Sequence, residues 1–283
     1  MNNTKYFFQF IFVMVLFLIF KILGLRLSNL LSGKIFTLLG PLFRSNKISH
    51  QNLSTAFPKL NTFEREKILK KMWFNYGKVF SEYLFIKKIK NSKNIIVDKQ
   101  EILESIKIDS KPVIFISGHF NNFELMAMHI ENSGIDLAAI YRPLNNKFLN
   151  PVMEKIRKKH ICKKQIKKGL SGTKEILKNF KNGKSIALMI DQRVSEGIKS
   201  KFFNREAFTT TIPAQFVKKF GAKVVPIYIE RTINDTFRIE IYDPIEYKKE
   251  DTIKEITSNL NKILEKMIIK NPEQWIWTHN RWK

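Results

Sequence analysis

The sequence predicts an α/β fold: a mainly parallel central sheet flanked by helices, preceded by an N-terminal membrane-anchoring helix and a helical layer. Two observations support this prediction. A long apolar stretch opens the chain, and from about Asn94 onward short β-branched runs alternate with longer segments of helical periodicity. Strands that alternate with helices usually pair in parallel, because each crossover helix covers one face of the sheet. At 283 residues, the chain is long enough for one good hydrophobic core.

The first element is the apolar stretch from Tyr6 to Leu25, which only Gln9, Lys21 and Gly24 interrupt. Twenty residues of helix are just long enough to cross a hydrocarbon core of roughly 30 Å. A cleaved signal peptide is the main alternative, but no cleavage site of the small-x-small kind follows the stretch. We therefore predict an uncleaved membrane anchor over residues 1–26 and a single further domain over residues 27–283.

Basic residues are distributed unevenly around this stretch. Only Lys5 precedes it, whereas five basic residues lie near its end or after it: Lys21, Arg26, Lys34, Arg44 and Lys47. Because loops rich in Lys and Arg stay in the cytoplasm, we expect the bulk of the protein on the cytoplasmic side. The chain as a whole has a formal charge of +25, which indicates anionic partners such as phospholipid headgroups, phosphorylated lipid, nucleic acid or an acidic carrier protein.

Residues 27–89 show helical spacing of apolar side chains, and Asn61-x-x-Glu64 is a capping box that opens one of the helices. This helical layer next to the anchor could lie against the bilayer. Further along the chain, the predicted strands are Val113–Ser117, Leu137–Ile140, Ser185–Ile190, Lys223–Ile229 and Phe237–Tyr242. The predicted helices lie near Asn122–Asn132, Lys147–Lys159, Ser171–Asn182, Thr211–Phe220 and Thr252–Ile269. The aromatic segment Trp275–Trp282 is predicted to be a final strand of the sheet.

The first of these strands leads into a glycine turn and a helix start that carry His119 and Glu124. If His119 lies in the turn and Glu124 in the first helical turn, the carboxylate can accept the proton on one ring nitrogen. The other nitrogen can then take a proton from a hydroxyl, while N–H groups near Asn121 to Phe123 hold an oxyanion. These are the parts that acyl transfer requires, and they make His119 and Glu124 the predicted catalytic pair.

A structural interpretation of the same residues remains open. Asn121-x-x-Glu124 also fits a capping box, in which Glu124 only bonds the N–H group of the cap. His119 could likewise be a partly buried histidine whose nitrogens bond the backbone. On pattern alone, the two interpretations are about equally supported.

Two other predicted strands end in polar residues. Arg142 follows Leu137–Ile140 and could bind a phosphate or carboxylate through a forked hydrogen bond. The alternative, which the pattern alone slightly favours, is that Arg142 pairs with an acid such as Asp191 to lock its loop. Asp191 and Gln192 follow Ser185–Ile190 at the same predicted edge as His119. Asp191 could orient a substrate or Arg142, or cap the next turn.

A dense basic run covers Lys155 to Lys168. It is typical of a solvated helix face and loop, although it could also be a landing site for an anionic membrane or an acidic acyl carrier. The single cysteine, Cys162, excludes an internal disulfide, and His119 has no second His or Cys nearby. We therefore predict neither a metal site nor a cofactor.

Six sequence blocks, taken together, resemble the bacterial lipid A biosynthesis (lauroyl/myristoyl) acyltransferase family over about Leu27 to Lys283. Gly118–Glu124 looks like the His-x4-Asp/Glu motif of membrane acyltransferases. The other blocks are Asn52-Leu53 with Phe57-Pro58 and Glu64-Arg65, Tyr141–Asn146, Met189–Gln192, Phe202–Arg205 and Pro272–Trp282. The motif alone is weak evidence, whereas six blocks in the same order are strong evidence.

This resemblance implies an enzyme of the bacterial inner membrane. It would transfer a fatty acyl chain from an acyl carrier protein thioester to a hydroxyl of a lipid A precursor, with His119 as general base. The resemblance also implies that Arg142, Asn145 and Asp191 line or support the site, and the predicted substrate-binding set adds Asn122 and Gln192. Alternatives are another lipid acceptor (glycerol phosphate, a lysophospholipid or a glycolipid) or a membrane-tethered nucleic-acid-binding protein. No recognised nucleic-acid motif supports the last, so we expect no nucleic-acid partner.

Overall fold

A seven-stranded sheet lies at the centre of the computed structural model, which describes residues 2–44 and 46–283. The strands in chain order are β1 (Ile95–Asp98), β2 (Ile114–Ser117), β3 (Leu137–Tyr141), β4 (Lys164–Lys167), β5 (Ser185–Met189), β6 (Ile198–Phe202), β7 (Arg205–Thr209), β8 (Val224–Arg231) and β9 (Phe237–Ile241). The sheet has the order β1-β9-β8-β2-β5-β3-β4, and β6 and β7 form a separate antiparallel hairpin. All neighbours in the sheet are parallel except β8 and β9, which confirms the predicted fold class.

Helices cover the sheet and form the layer that precedes it. They are α1 (Asn2–Phe43), α2 (Asn46–Ala56), α3 (Thr62–Glu82), α4 (Ile86–Lys90), α5 (Gln100–Asp109), α6 (Glu124–Asn132), α7 (Leu149–His160), α8 (Leu170–Lys181), α9 (Ile212–Phe220) and α10 (Ile253–Lys270), followed by a 3-10 turn at Pro272–Gln274. Because both faces of the sheet are covered, its central strands are apolar, and every residue of β2 is buried. The predicted capping box at Asn61 and Glu64 opens α3.

The five predicted strands and the helices between them are confirmed, with ends that differ by a few residues. Sequence patterns missed β1, β4 and the hairpin. Strand β4 lies inside the basic run, where lysines suit the edge of a sheet because they discourage pairing with another chain.

The prediction of a final strand at Trp275–Trp282 is wrong, since only Trp275 makes an isolated bridge, with Phe120. The segment is fixed largely by side chains instead. The Trp277 indole donates to Pro272 O at 2.7 Å, and Asn52 Nδ2 donates to Trp277 O at 2.7 Å.

Helix α1 bends sharply at Gly24, which has a φ of 73° and so interrupts the helix. We call residues 2–23 the first arm and residues 25–43 the second arm. Ser28 Oγ donates to Phe20 O at 2.8 Å, although a straight helix would separate these residues by about 12 Å along its axis. By length and composition, α1 is apolar enough to cross a membrane. The division into an anchor and a second domain at residue 26 stays a prediction.

The second arm packs closely against α3 through small residues. Ser32 Oγ donates to Gly77 O at 2.6 Å, and Gly33 lies against the ring of Phe74. A Cβ atom added at Gly77 would lie 2.4 Å from the backbone oxygen of Ser32, closer than any real contact. Glycine at this position therefore sets the distance between the two helices.

This close approach predicts the effect of Gly77→Ala. Alanine in a helix ordinarily stabilises a protein by about 0.5–1 kcal/mol relative to glycine. Here we expect the opposite, a loss of about 1–3 kcal/mol, because the new methyl group forces α1 away from α3. Thermal unfolding in detergent measures the change, with Lys70→Ala on the exposed face of α3 as the control. A melting temperature for Gly77→Ala at or above that of the wild type would contradict this packing argument.

Candidate active site

His119 and Asp191 lie side by side at the carboxyl ends of two neighbouring parallel strands. Ser117 at the end of β2 pairs with Met189 at the end of β5, and each functional residue follows its strand by two positions. The His119 Nδ1 atom is 2.8 Å from Asp191 Oδ1 and 3.0 Å from Oδ2. The backbone N–H of His119 also donates to Asp191 Oδ2, at 2.8 Å. The topology of the sheet therefore holds the imidazole against this carboxylate.

A third donor completes the surroundings of the carboxylate. The buried indole of Trp275 donates its Nε1 hydrogen to Asp191 Oδ2 at 2.9 Å. The Asp191 side chain is 3% exposed and that of His119 is 20% exposed. Asp191 is therefore enclosed by protein, whereas part of the imidazole remains accessible.

The two groups shift each other's pKa in opposite directions. Burial disfavours the charged imidazolium, but the Asp191 carboxylate outweighs that effect, so the pKa of His119 lies above its ordinary value. Burial alone would raise the pKa of Asp191, but the charge and hydrogen bonds of His119 and the indole of Trp275 hold it at about 2. The carboxylate therefore stays ionised and accepts a hydrogen bond from the Nδ1–H group of His119. This leaves Nε2 of His119 as the basic nitrogen, with no hydrogen-bond partner among the described residues.

Glu124 does not occupy the place predicted for it. Its Oε1 accepts hydrogen bonds from Tyr83 Oη at 2.6 Å and from Arg157 Nε at 2.7 Å. The expected hydrogen bond from His119 to Glu124 is replaced by one from His119 to Asp191. Glu124 still lies close enough to raise the pKa of His119 through its charge.

The Glu124 and Arg157 pair is largely shielded from water, with side-chain exposures of 9% and 11%. Burial and the charge of Glu124 raise the pKa of the Tyr83 hydroxyl well above its usual value, so Tyr83 remains a donor. The guanidinium of Arg157 lies 5.6 Å from the ring centroid of Tyr141. A permanent positive charge is thereby fixed near the carboxylate at the start of α6.

The loop before α6 is fixed by a second buried ion pair. Arg231 of β8 and Glu82 of α3 approach to 2.7 Å, with 4% and 0% of their side chains exposed. Asn122 Nδ2 donates to Glu82 Oε2 at 2.9 Å, and Arg231 Nη2 donates to Asn121 Oδ1 at 3.1 Å. Asn29 Nδ2 of the second arm donates to Glu82 Oε1 at 2.9 Å. Asn122, a predicted substrate-binding residue, is thus buried behind the site.

The backbone of this loop differs from the predicted helix start. Neither Asn121 nor Asn122 caps α6, whose first residue is Glu124. Asn121 has a φ of 37°, which asparagine tolerates better than most residues. Its N–H donates to Gln274 O at 2.7 Å, and the N–H of Asn122 donates to Asn121 Oδ1 at 2.8 Å. The capping-box interpretation is therefore wrong, and two of the N–H groups expected to hold an oxyanion are already engaged.

The other predicted substrate-binding residues are more accessible to solvent. Arg142 and Asn145 are exposed, and Gln192 is partly exposed. The predicted pairing of Arg142 with Asp191 is wrong: the ion pairs of the described chain include none of Arg142, and Asp191 is occupied by His119 and Trp275. Lys168, also exposed, lies within electrostatic reach of both Arg142 and Asp191. Arg142 and Lys168 are therefore two neighbouring exposed cations that an anion can reach.

A second histidine lies in the same region. His279 Nε2 accepts a hydrogen bond from the N–H of Arg193 at 3.0 Å, and burial lowers the pKa of His279 to about 4. It therefore remains neutral as an acceptor. Arg281 is fully buried and donates to Phe208 O and to Thr209 Oγ1, both at 2.7 Å. These contacts give the C-terminal segment a structural role.

Sequence reasoning missed Arg157, Tyr83, Glu82, Arg231 and Trp275 as parts of this region. The sequence does contain a signal for Arg157, although the lysines of the basic run surround this residue. Leu149, Met153 and Arg157 recur every four residues, so this arginine shares the inward face of α7 with apolar side chains. Within residues 2–44 and 46–283, no group of three or more His, Cys, Asp or Glu side chains is placed to bind a metal ion.

The arrangement provides the groups that acyl transfer needs. A buried carboxylate orients an accessible imidazole. At the start of α6, the N–H groups of Leu125 and Met126 bond Asn122 O and Phe123 O, whereas those of Phe123 and Glu124 have no partner among the described residues. A helix N-terminus with free N–H groups favours developing negative charge, such as that on a tetrahedral intermediate.

Comparison with known proteins supports the same chemistry. The family model for bacterial lipid A biosynthesis acyltransferases matches residues 1–283. The lipid A biosynthesis palmitoleoyltransferase of Escherichia coli (strain K12) is 26% identical over 247 residues, which cover 85% of this chain and 79% of that protein. The lauroyltransferase of the same organism is 24% identical over 253 residues (85% and 79%). The lipid A biosynthesis acyltransferase of Haemophilus influenzae is 25% identical over 248 residues (85% and 78%).

These relatives and the apolar α1 are compatible with association with the bacterial inner membrane. They support acyl transfer in lipid A biosynthesis as the activity of this chain. Because the family model matches the whole chain, the protein belongs to the bacterial lipid A biosynthesis acyltransferase family and is an O-acyltransferase.

Proposed function

We propose that this enzyme transfers a fatty acyl chain from an acyl carrier protein thioester to a hydroxyl of a lipid A precursor, with His119 as general base. The observation that carries this proposal is the pair of hydrogen bonds from His119 to Asp191, at 2.8 Å from the ring and 2.8 Å from the backbone. They leave the basic Nε2 nitrogen of an accessible imidazole free to take a proton.

In the proposed mechanism, Nε2 of His119 removes the proton of the acceptor hydroxyl while its oxygen attacks the thioester carbonyl. A C–O bond forms and the carbonyl electrons move onto the oxygen. When the intermediate collapses, the C–S bond breaks and the thiolate takes the proton from the imidazolium. The N–H groups of Phe123 and Glu124 are the proposed donors to the oxyanion, because those of Asn121 and Asn122 bond protein acceptors.

The proposed substrates fit the charges around the site. Lys168 lies within electrostatic reach of Asp191 and of Arg142, and these two exposed cations would bind the phosphate of a lipid A precursor. The proposed donor and membrane surface are both anionic, which suits a chain with a net charge of +25. The cytoplasmic leaflet carries the more negative surface, which suits this positive charge and supports a catalytic domain on the cytoplasmic side.

The direct test is transfer of a labelled acyl chain by the purified enzyme. We expect a product with acyl carrier protein thioester and lipid A precursor, and a loss of ~10²–10⁴-fold for His119→Ala, because only the base is removed. His50→Ala is the matched control, since His50 bonds Glu66 in the helical layer. Wild-type activity of a folded His119→Ala variant would refute the assignment of the base. Transfer only from another thioester, or only to a lysophospholipid, would refute the proposed donor or acceptor.

The pH dependence of transfer tests the role of Asp191. A general base acts in its neutral form, so a raised pKa of His119 places the acidic limb of kcat/KM above the ordinary value of about 6.5. Asp191→Asn removes the charge that raises this pKa while burial continues to lower it, so the limb should move to lower pH. Activity at the plateau should fall by ~10²–10⁴-fold because the tautomer is no longer fixed. A limb that stays in place would contradict the proposed coupling.

A double-mutant cycle tests the Glu124 and Arg157 pair. Glu124→Ala and Arg157→Ala should each cost about 3–5 kcal/mol, because each leaves one buried charge without its partner. The double variant should lose clearly less than the sum, as measured by unfolding in denaturant. Lys223→Ala, which breaks an exposed pair with Glu246, is the control and should change little. Additive losses would show that the pair is not coupled, and a stable but inactive double variant would assign it a part in catalysis.

A further inference from the structure

The first arm of α1 is held by the rest of the protein at both of its ends. Near its start, Asn146 Nδ2 donates to Tyr6 O at 2.8 Å, and the Phe148 ring lies 5.7 Å from that of Phe7. Near its end, Phe17 and Phe20 contact another aromatic side chain of the helical layer. Tyr6 and Phe20 are about 21 Å apart along a helix axis. The arm therefore lies along the protein over most of its length.

The contacts at the far end are with α3. The ring of Phe80 lies 5.2 Å from that of Phe17 and 6.4 Å from that of Phe20. Phe80 also lies 5.2 Å from Phe36 of the second arm, so a single side chain contacts both arms. Phe80 thus fills the inner side of the bend at Gly24. The bend leaves the Phe20 carbonyl without its helical N–H partner, and Ser28 Oγ donates to that oxygen instead.

The opposite face of the first arm is apolar and exposed. Its exposed large side chains are Phe7, Phe8, Ile11, Phe12, Met14, Val15, Leu18, Ile19 and Ile22, between 37% and 79% exposed. The second arm continues this surface beyond the bend with Leu27, Leu30, Leu31, Leu38 and Leu42. A contiguous apolar surface of this size is not stable in water, which indicates contact with lipid.

These contacts conflict with a helix that crosses the bilayer. If the first arm ran along the membrane normal, Tyr6 would lie about 21 Å deeper than Phe20. The loop that contacts Tyr6 and Phe7 would then also lie within the hydrocarbon core. The loop beside Tyr6 contains exposed Asn145 and Lys147 and buried Asn146. Polar and charged groups at that depth cost several kcal/mol each.

We propose that α1 does not cross the membrane: both of its arms lie in a single leaflet, and residue 3 stays on the same side as the catalytic domain. The outward side chains enter the acyl chains of that leaflet, and the exposed cations of α1 contact anionic headgroups. These cations are Lys5, Lys21, Arg26 and Lys34. Such an arrangement places the loop of Arg142 and Asn146 next to the lipid surface.

Labelling of single cysteines tests this topology, and the chain suits the test. Its only cysteine, Cys162, is 1% exposed, so the wild type should show little background labelling. Asn3→Cys reports the start of the first arm, and Ile233→Cys reports the catalytic domain because Ile233 is fully exposed between β8 and β9. A maleimide that cannot cross membranes is added to intact spheroplasts and to inside-out vesicles.

We expect Asn3→Cys and Ile233→Cys to be labelled in the same preparation and protected in the other. Labelling in opposite preparations would show a spanning helix and overturn the proposal. The comparison does not depend on which side the domain occupies or on acyl transfer. Its failure would therefore leave the proposed function standing, and loss of the proposed function would leave this topology standing.

Depth measurements give a second readout for the middle of the first arm. A fluorophore on Phe12→Cys should be quenched more strongly by a nitroxide near the lipid headgroup than by one near the end of the acyl chain. Leu38→Cys, on the outward face of the second arm, is the matched position and should behave in the same way. Stronger quenching of Phe12→Cys by the deep nitroxide would contradict an arm in one leaflet.

Discussion

The contact between His119 and Asp191 is the interaction on which the rest of the site depends. It joins residues 72 positions apart, and it forms because β2 and β5 are parallel neighbours whose carboxyl ends coincide. The Asp191 carboxylate accepts hydrogen bonds from the imidazole and the backbone N–H of His119 and from the indole of Trp275. These three bonds leave the carboxylate little freedom to rotate. The tautomer of the imidazole is therefore fixed by the topology of the sheet rather than by a neighbour in sequence.

The end of α3 links this contact to the helical layer and to α1. Glu82 binds the loop of His119 through Asn122 and Arg231, while the next residue, Tyr83, donates to Glu124. A buried ion pair is weak evidence for stability, because desolvation offsets most of its attraction. The pairs of Glu82 with Arg231 and of Glu124 with Arg157 are better understood as contacts that fix the positions of the His119 loop and of α6. Since α3 also packs against both arms of α1, the site and the exposed apolar surface of α1 share one rigid element.

The fold class, most of the central strands and the place of His119 in the turn after β2 could be predicted from sequence, because each has a local pattern. Strand β4 could not, since lysines at a sheet edge resemble a solvated loop. Glu124 is the partner that the sequence suggests for His119, because the two residues are only five positions apart. The contact with Asp191 depends on the order of the strands in the sheet, which no local pattern reveals. Arg157 was hidden for a related reason: its burial follows from helix phase, but the lysines around it dominate the composition.

The position of Gln274 and Trp275 in the chain has a consequence for biosynthesis. A ribosome releases the apolar arms of α1 long before it adds the residues that hold Asn121 and Asp191. Until then, the Asp191 carboxylate lacks one of its donors and the loop of His119 lacks a backbone partner. Trp277 and Arg281, both buried, also belong to the last residues synthesised. The imidazole therefore acquires its full surroundings only after nearly the whole polypeptide has left the ribosome.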